Sequence, residues 1–352
     1  MALKLLHVSD LHFGEPFGTR GEPLLDATVR DWWVSFPAFD GFLGHTYAAL
    51  ADLEELHAVL DRPAVVSTGD LTRVGSAGEA RQADDYFSGS SFAGSNIGLR
   101  LGPRWVERAI PGNHDHWPGV QPNHPRDMFC MRGAPAQGGP LSLLQQSGGY
   151  PRTATFPLDD GSDLVLCALN TDEDVGHSSL SRVFARGHFV RQCHRAALLL
   201  GQRPQSERRE VRGLLIHHSP LVRGYPLAIG PASMLALGAL LDDANVQFVL
   251  TGHAHRWQVE RHNASIWPRD ILELRCGSTT SRDVFPDNRL WRGVSTVTRR
   301  RLHRNVAMCH EFEAYAGGVW LETTVYRRER RSYTQSGPFA PVAQERHHLS
   351  FA

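Results

Sequence analysis

The chain has 352 residues, 41% hydrophobic and 21% charged, with 37 basic residues balanced by 37 acidic ones. That is ordinary globular composition with length for a substantial core, read as one large domain with appendages rather than two equal halves. Zero net charge removes the electrostatic footprint for wrapping nucleic acid or lying on an anionic membrane, and five scattered cysteines without a Cys-x-x-Cys pair exclude a disulfide framework.

In chain order, residues 3–8 form a compact apolar run that reads as a strand and ends at Asp10-Leu11-His12. The run is too short for a secretory signal, and no stretch reaches the length of a membrane span, so the expectation is a soluble cytoplasmic protein. Residues 14–40 look like an insertion. Its Trp32-Trp33-Val34-Ser35-Phe36 either packs over the first helix or forms a lid or a partner patch, the latter leaving a homo-oligomer open. Residues 47–60 carry apolar groups at helical spacing, with Asp52, Glu54 and Glu55 on the other face. Residues 65–68 form a strand feeding Gly69-Asp70, and residues 79–87 a short helix. A Gly- and Ser-rich segment, 88–104, reads as a mobile second insertion reaching the rim of a site. The strand expected at 105–110 delivers Gly112-Asn113-His114-Asp115.

The same rhythm continues. Residues 164–169 feed Asn170-Thr171, with Cys167 a small core residue; 189–200 are helical; 212–216 feed His217-His218; 234–241 are helical; and 246–250 feed Gly252-His253-Ala254-His255. Alternating strand and helix with polar groups in the loops indicates a layered α/β core with substantial parallel pairing. Beyond His255, strands are expected at 271–276, 294–299, 306–313 and 319–326 with no helix between them. The basic clusters at 299–304 and 327–331 read as a solvated face of late strands or a turn in preference to a nucleic-acid or membrane patch. The expected organisation is a main domain over 1–280 that carries all the donor islands, a β-rich extension over 281–335 that completes or caps the core, and a loosely ordered tail over 336–352.

The chemistry lies in the islands. Asp10 and His12, one residue apart on a strand end, can point to one side and grip one ion. Asp70 can present both carboxylate oxygens and bridge two cations. Asn113 adds a neutral oxygen, the 217–218 pair an imidazole, and His253 and His255 one imidazole for each ion. Strand parity favours His12 over His7 as a ligand, whereas it does not decide between His217 and His218. Nitrogen and oxygen donors without thiolate suit two ions of Mn, Fe, Zn or Ni. Arg73 and Arg223 each follow an island closely and are candidate substrate contacts against a surface reading.

These ordered islands, with Leu71-Thr72 after Asp70 and Ser219-Pro220 after His218, resemble the motifs of the calcineurin-like metallophosphoesterases over roughly residues 3 to 257. The resemblance implies a four-layer α/β/β/α sandwich with a β-rich C-terminal portion. It implies one metal held by Asp10, His12, Asp70 and His255 and another by Asp70, Asn113, His217 and His253. His218 then supports the site or points toward the substrate, and Asn170 supports the site. The implied reaction is hydrolysis of a phosphodiester, small-molecule or nucleotide-type, by hydroxide generated between two ions about 3.5–4 Å apart. His114 would stabilise the phosphoryl oxygen or protonate the leaving group, with Asp115 orienting its ring or serving only as a turn acid. A phosphomonoesterase or DNA nuclease of the same superfamily is the alternative, nucleic acid being disfavoured by the neutral charge. A non-catalytic metal-binding scaffold is the alternative of another class.

Overall fold

The computed structural model describes residues 2–13, 39–72, 77–89, 97–116, 149–172, 186–203, 209–221, 229–262, 267, 269–280, 305–330 and 336–351. Two sheets form its centre. In the first, β1 (Leu3–Val8) runs parallel to β2 (Ala64–Ser67) and antiparallel to β9 (Val306–Tyr315), which continues through β10 (Gly318–Arg330) to β11 (Ser336–Leu349). The second takes β3 (Arg152–Pro157), β4 (Asp163–Ala168), β5 (Glu210–Leu215), β6 (Phe248–Thr251), β8 (Ile271–Arg275) and β7 (Gln258–His262) in that order. Its middle, from β4 to β8, is parallel, which requires crossovers and cover on both faces.

The alternation along these strands explains the layers. Leu164 and Leu166 of β4 and Phe248 and Leu250 of β6 enter the core shared with the first sheet, where Phe248 and Phe312 meet with ring centroids 5.7 Å apart. Val165, Cys167 and Val249 face the other way, into a second core with α4 (Val190–Gly201) and α5 (Pro231–Asp243). The first sheet is covered in turn by α1 (Phe39–Val59) and α2 (Ala77–Ser88); the Tyr86 hydroxyl donates to the Leu50 carbonyl at 2.8 Å. The architecture is therefore mixed α/β, two facing sheets with helices outside, as expected. Truncating Phe248 or Phe312 to alanine would open the inter-sheet core at a cost of about 3–5 kcal/mol.

Three expectations need correction. Residues 105–110 are not a strand: Pro103–Arg108 is a 3-10 helix, with only Ala109 bridging to Ser67. Pro103 pre-sets a helical backbone at its start, and Trp105 is held by stacking on Phe87 at 4.6 Å and by its indole N–H to Asp84 at 2.9 Å. Within the expected loose tail, Ser336–Leu349 is a strand: β11 pairs along β10 and buries Phe339 and Leu349. Its prolines are tolerated on an edge strand, where a register shift leaves Val342 unpaired between Pro341 and Ala343. Arg328 in the second basic cluster is buried and paired with Asp52 of α1, rather than solvated. The polar edge strands β3 and β7 were not expected. Residues 14–38, 90–96, 281–304 and 331–335, with the first insertion's aromatics, the 294–299 strand and the first basic cluster, lie outside the described residues.

Candidate metal centre

The donors gather where both sheets end. Past β1 and β2 the backbones stay joined, Asp10 N–H to the Gly69 carbonyl and His12 N–H to the Asp70 carbonyl, both at 3.0 Å. That continuation sets Asp10 and His12 beside Asp70. Past β5 and β6 the second sheet does the same, with Gly252 N–H to the His217 carbonyl at 3.0 Å. Asn113 opens the short α3 (Asn113–His116).

Extended parity is not what aims these side chains. Asp10, His12, Asp70, His253 and His255 all have left-handed backbone, with φ of 51°, 49°, 51°, 66° and 52°. They are five of the nine non-glycine residues with positive φ among those described. Such conformations are uncommon outside glycine, cost of order 1 kcal/mol each, and concentrate at functional sites. The expected pairing of Asp10 with His12, and of His253 with His255, therefore arises from loops that reverse after the strands rather than from a strand's pleat.

Two groups of donors result. In one, His255 Nε2 lies 3.0 Å from Asp10 Oδ1, 3.5 Å from His12 Nε2, and His12 Nε2 lies 4.0 Å from Asp70 Oδ2. In the other, His217 Nε2 lies 3.0 Å from Asn113 Oδ1, 3.1 Å from His253 Nδ1 and 3.3 Å from Asp70 Oδ2. Asp70 Oδ2 thus faces both groups.

The geometry fits cations better than a hydrogen-bond network. His217 Nδ1 sits 2.7 Å from the Thr68 carbonyl, which can only accept, so Nδ1 carries a proton and Nε2 is left facing three polar atoms. One ring nitrogen can satisfy only one of them as a donor. Ligands about 2.1 Å from a common ion stand about 3.0–3.4 Å apart, the spacing found around His217 Nε2. In each group the ligand atoms of the carboxylate and imidazole residues lie within 4.8 Å of one another. The field agrees. Burial disfavours a charged His217, yet the Asp70 and Asp10 carboxylates outweigh it and push the imidazole up to about 10. Burial likewise opposes an ionised Asp10, but His255 and His217 hold its carboxyl below the usual range. The spot favours positive charge.

Other groups brace the donors. Asp10 Oδ2 accepts the Ser9 hydroxyl at 2.5 Å and the His253 N–H at 3.1 Å, which turns Oδ1 toward His255. Ser278 donates to the Asp10 carbonyl at 2.9 Å, Thr280 to the Leu11 carbonyl, and Thr279 exchanges hydrogen bonds with Ser9. These hydroxyls were missed in the sequence, although Ser278-Thr279-Thr280 follows a buried strand just as the donor islands do. Asp115, expected to orient His114, has its carboxylate engaged by the Gly112, Leu71 and Thr72 N–H groups at 2.9, 3.2 and 2.7 Å and by the Thr72 hydroxyl at 2.8 Å. It ties the Asp70 turn to the Asn113 turn. Burial and the Asp70 charge push its carboxyl up to about 6, against those hydrogen bonds.

His218 is buried behind the donors, its Nδ1 2.7 Å from the Thr171 hydroxyl and its ring centroid 4.4 Å from that of His253. It therefore packs against the donors and does not front the solvent. Asn170 is buried and accepts the Asp172 N–H at 2.9 Å, shaping the adjacent turn. His7 is a core residue, bonded to Thr68 at 3.0 Å. The His114 side chain, Arg73 and Arg223 lie outside the described residues.

The model of the family described as calcineurin-like phosphoesterase matches residues 3–257. No curated protein sequence matches the chain. Among solved structures, a conserved uncharacterized protein, described as a predicted phosphoesterase, from Streptococcus pneumoniae TIGR4 is similar at 9% identity, covering 99% of this chain and 98% of its own with a TM-score of 0.31. Vps29 from Chaetomium thermophilum is similar at 10% identity, with 99% and 98% covered and a TM-score of 0.34. Both scores are too low to carry the fold by themselves.

Proposed function

Because the chain belongs to the calcineurin-like phosphoesterase family, we propose that it hydrolyses a phosphodiester of small-molecule or nucleotide type, using two metal ions held by the donors above. The observation that carries this reading is the convergence of two donor groups on one oxygen, Asp70 Oδ2. Asp10, His12, Asp70 and His255 would hold one ion, and Asp70, Asn113, His217 and His253 the other. Mn, Fe, Zn and Ni all suit this set of imidazole, carboxylate and amide donors. When bound, two such ions supply Lewis acidity at the phosphoryl oxygens and lower the pKa of water, so that attack on phosphorus proceeds near neutral pH.

The chain's own residues supply the rest. The Thr68 carbonyl fixes the His217 tautomer, leaving Nε2 turned inward. Asp115 and Ser278 hold the donor-bearing turns in place before substrate arrives, which is the preorganisation that electrostatic catalysis needs. Substrate approaches past His12 and His255, whose side chains are 10% and 13% exposed while Asp10, Asp70 and His217 are sealed. His114, directly after Asn113, is the proposed group that stabilises the phosphoryl oxygen or protonates the leaving group.

The test is turnover of bis(p-nitrophenyl) phosphate and p-nitrophenyl phosphate by one preparation whose metal content is measured by elemental analysis. Faster turnover of the diester, lost in His114→Ala with the metals retained, is the expected result. Faster turnover of the monoester overturns the diester assignment, and cleavage of single-stranded DNA alone reassigns the site to a nuclease. Full metal loading without turnover of any of these substrates overturns the enzymatic reading.

A further inference from the structure

Two charged residues of β8 are buried behind the donor loops without any part in the scheme above. Arg275, 6% exposed, donates from Nη1 to the Ser219 hydroxyl at 2.9 Å and from Nε to the Arg256 carbonyl at 3.0 Å. Glu273, fully buried on the same face of the strand, accepts the Thr251 hydroxyl at 2.6 Å and lies 3.9 Å from Arg275 Nη1. Ile271, two residues earlier on this face, is in the apolar core with α5, the ordinary fate of such a position.

Apart from His262 of β7, whose Nε2 lies 3.6 Å from Glu273 Oε2, the partners share one property: they lie next to proposed ligands. Ser219 is two residues past His217, Thr251 two before His253, and Arg256 one past His255. Burying a guanidinium and a carboxylate costs several kcal/mol that their attraction only partly returns, so an apolar pair would serve stability as well. A guanidinium, unlike an ammonium, carries donors in a rigid fork and can hold two loops at once at a set distance.

We infer that Arg275 is a positioning residue for the metal centre. Its fork, anchored by Glu273, holds the 217–219 loop against the 253–256 loop at the spacing where His217, His253 and His255 converge. The inference rests on the proposed two-metal reading and deepens it.

The test is calorimetric titration of Mn²⁺ into metal-free wild type, Arg275→Met, Arg275→Lys and Ser219→Ala, with thermal unfolding of each metal-free protein beside it. Arg275→Met is expected to weaken Mn²⁺ binding about 10-fold or more, as loss of groups that orient metal ligands does elsewhere. Arg275→Lys falls between, since it keeps the charge but loses the fork. Ser219→Ala weakens binding about threefold to tenfold while the metal-free unfolding temperature stays close to that of wild type. Unchanged Mn²⁺ affinity in a folded Arg275→Met, whatever its unfolding temperature, overturns the positioning role and leaves a structural one. Should Arg275→Met fail to fold, Ser219→Ala decides, and wild-type affinity there overturns the inference. Wild type that binds no Mn²⁺ defeats the two-metal reading and this inference together, a result distinct from wild type and variants binding two ions alike.

Discussion

At the scale of residues, the donor set owes as much to small neighbours as to the donors. A Cβ at Gly252 would overlap the Ser9 hydroxyl and stand 2.9 Å from Asp10 Oδ2, and one at Gly112 would stand 2.5 Å from the Asp70 backbone nitrogen and 2.7 Å from the His217 ring. Gly252→Ala is therefore expected to displace Asp10 and lose most Mn²⁺ binding while destabilising the fold by about 1–3 kcal/mol, read by calorimetry and urea unfolding. Wild-type Mn²⁺ affinity in that variant would show that the close approach is not needed. The donors were legible because Asp, His and Asn are few in kind and their chemistry is narrow. Their aim was legible only by coincidence, since left-handed loops reproduce the sidedness that a pleated strand would have provided. His217 and His218 show the limit of parity, because adjacent residues differ only in what surrounds them: Thr68 and Asn113 for one, Thr171 for the other.

At the scale of elements, β1 and β9 are joined by a buried polar pair. His7 Nδ1 lies 3.3 Å from His310 Nε2, and the far nitrogens reach Thr68 and Thr323, each at 3.0 Å. Burial pushes His310 down to about 3, and burial followed by the His310 charge lowers His7 well below its usual value. A histidine with a depressed folded pKa contributes stability that is present above the unfolded value, about 6.5, and is lost as pH falls toward the folded one. Below pH 6.5 the unfolded chain takes up a proton that the folded chain refuses. The stability of wild type relative to His310→Gln is thus expected to fall by up to about 1.4 kcal/mol per pH unit between about pH 6 and pH 4, followed by urea midpoints across that range. A pH-independent difference would mean that His310 titrates normally in the fold. The same strands show where periodicity succeeds. β4, β5 and β6 were read correctly because they are buried runs between turn signals, whereas β3, β7 and β11 are polar edge strands. Their pairing comes from a neighbour's free edge, and nothing in their own composition announces it.

At the scale of the whole molecule, the proposed centre is a joint between the sheets. Asp10, His12 and Asp70 leave the first sheet, and His217, His253 and His255 leave the second. Ions bound there would hold the two together and be released when they separate. Mn²⁺ at about 100 times its dissociation constant is accordingly expected to add about 2.7 kcal/mol to unfolding stability, reversed by chelator and absent in Asp70→Asn. A metal effect that survives in Asp70→Asn would place binding elsewhere on the chain. Read along the chain alone, the residues already carry the inventory: an α/β chain, donors at the ends of apolar runs, an imidazole and carboxylate set suited to two cations, and the order of motifs that marks the family. These are local, since a strand's burial and a ligand's chemistry are properties of a few adjacent residues. It takes the folded chain to show that one oxygen of Asp70 faces both donor groups, that Asp115 ties two turns together, and that Arg275 bonds the two donor-bearing loops. Those facts are distances between residues far apart in the chain, and they exist only once the packing of two sheets brings their ends together.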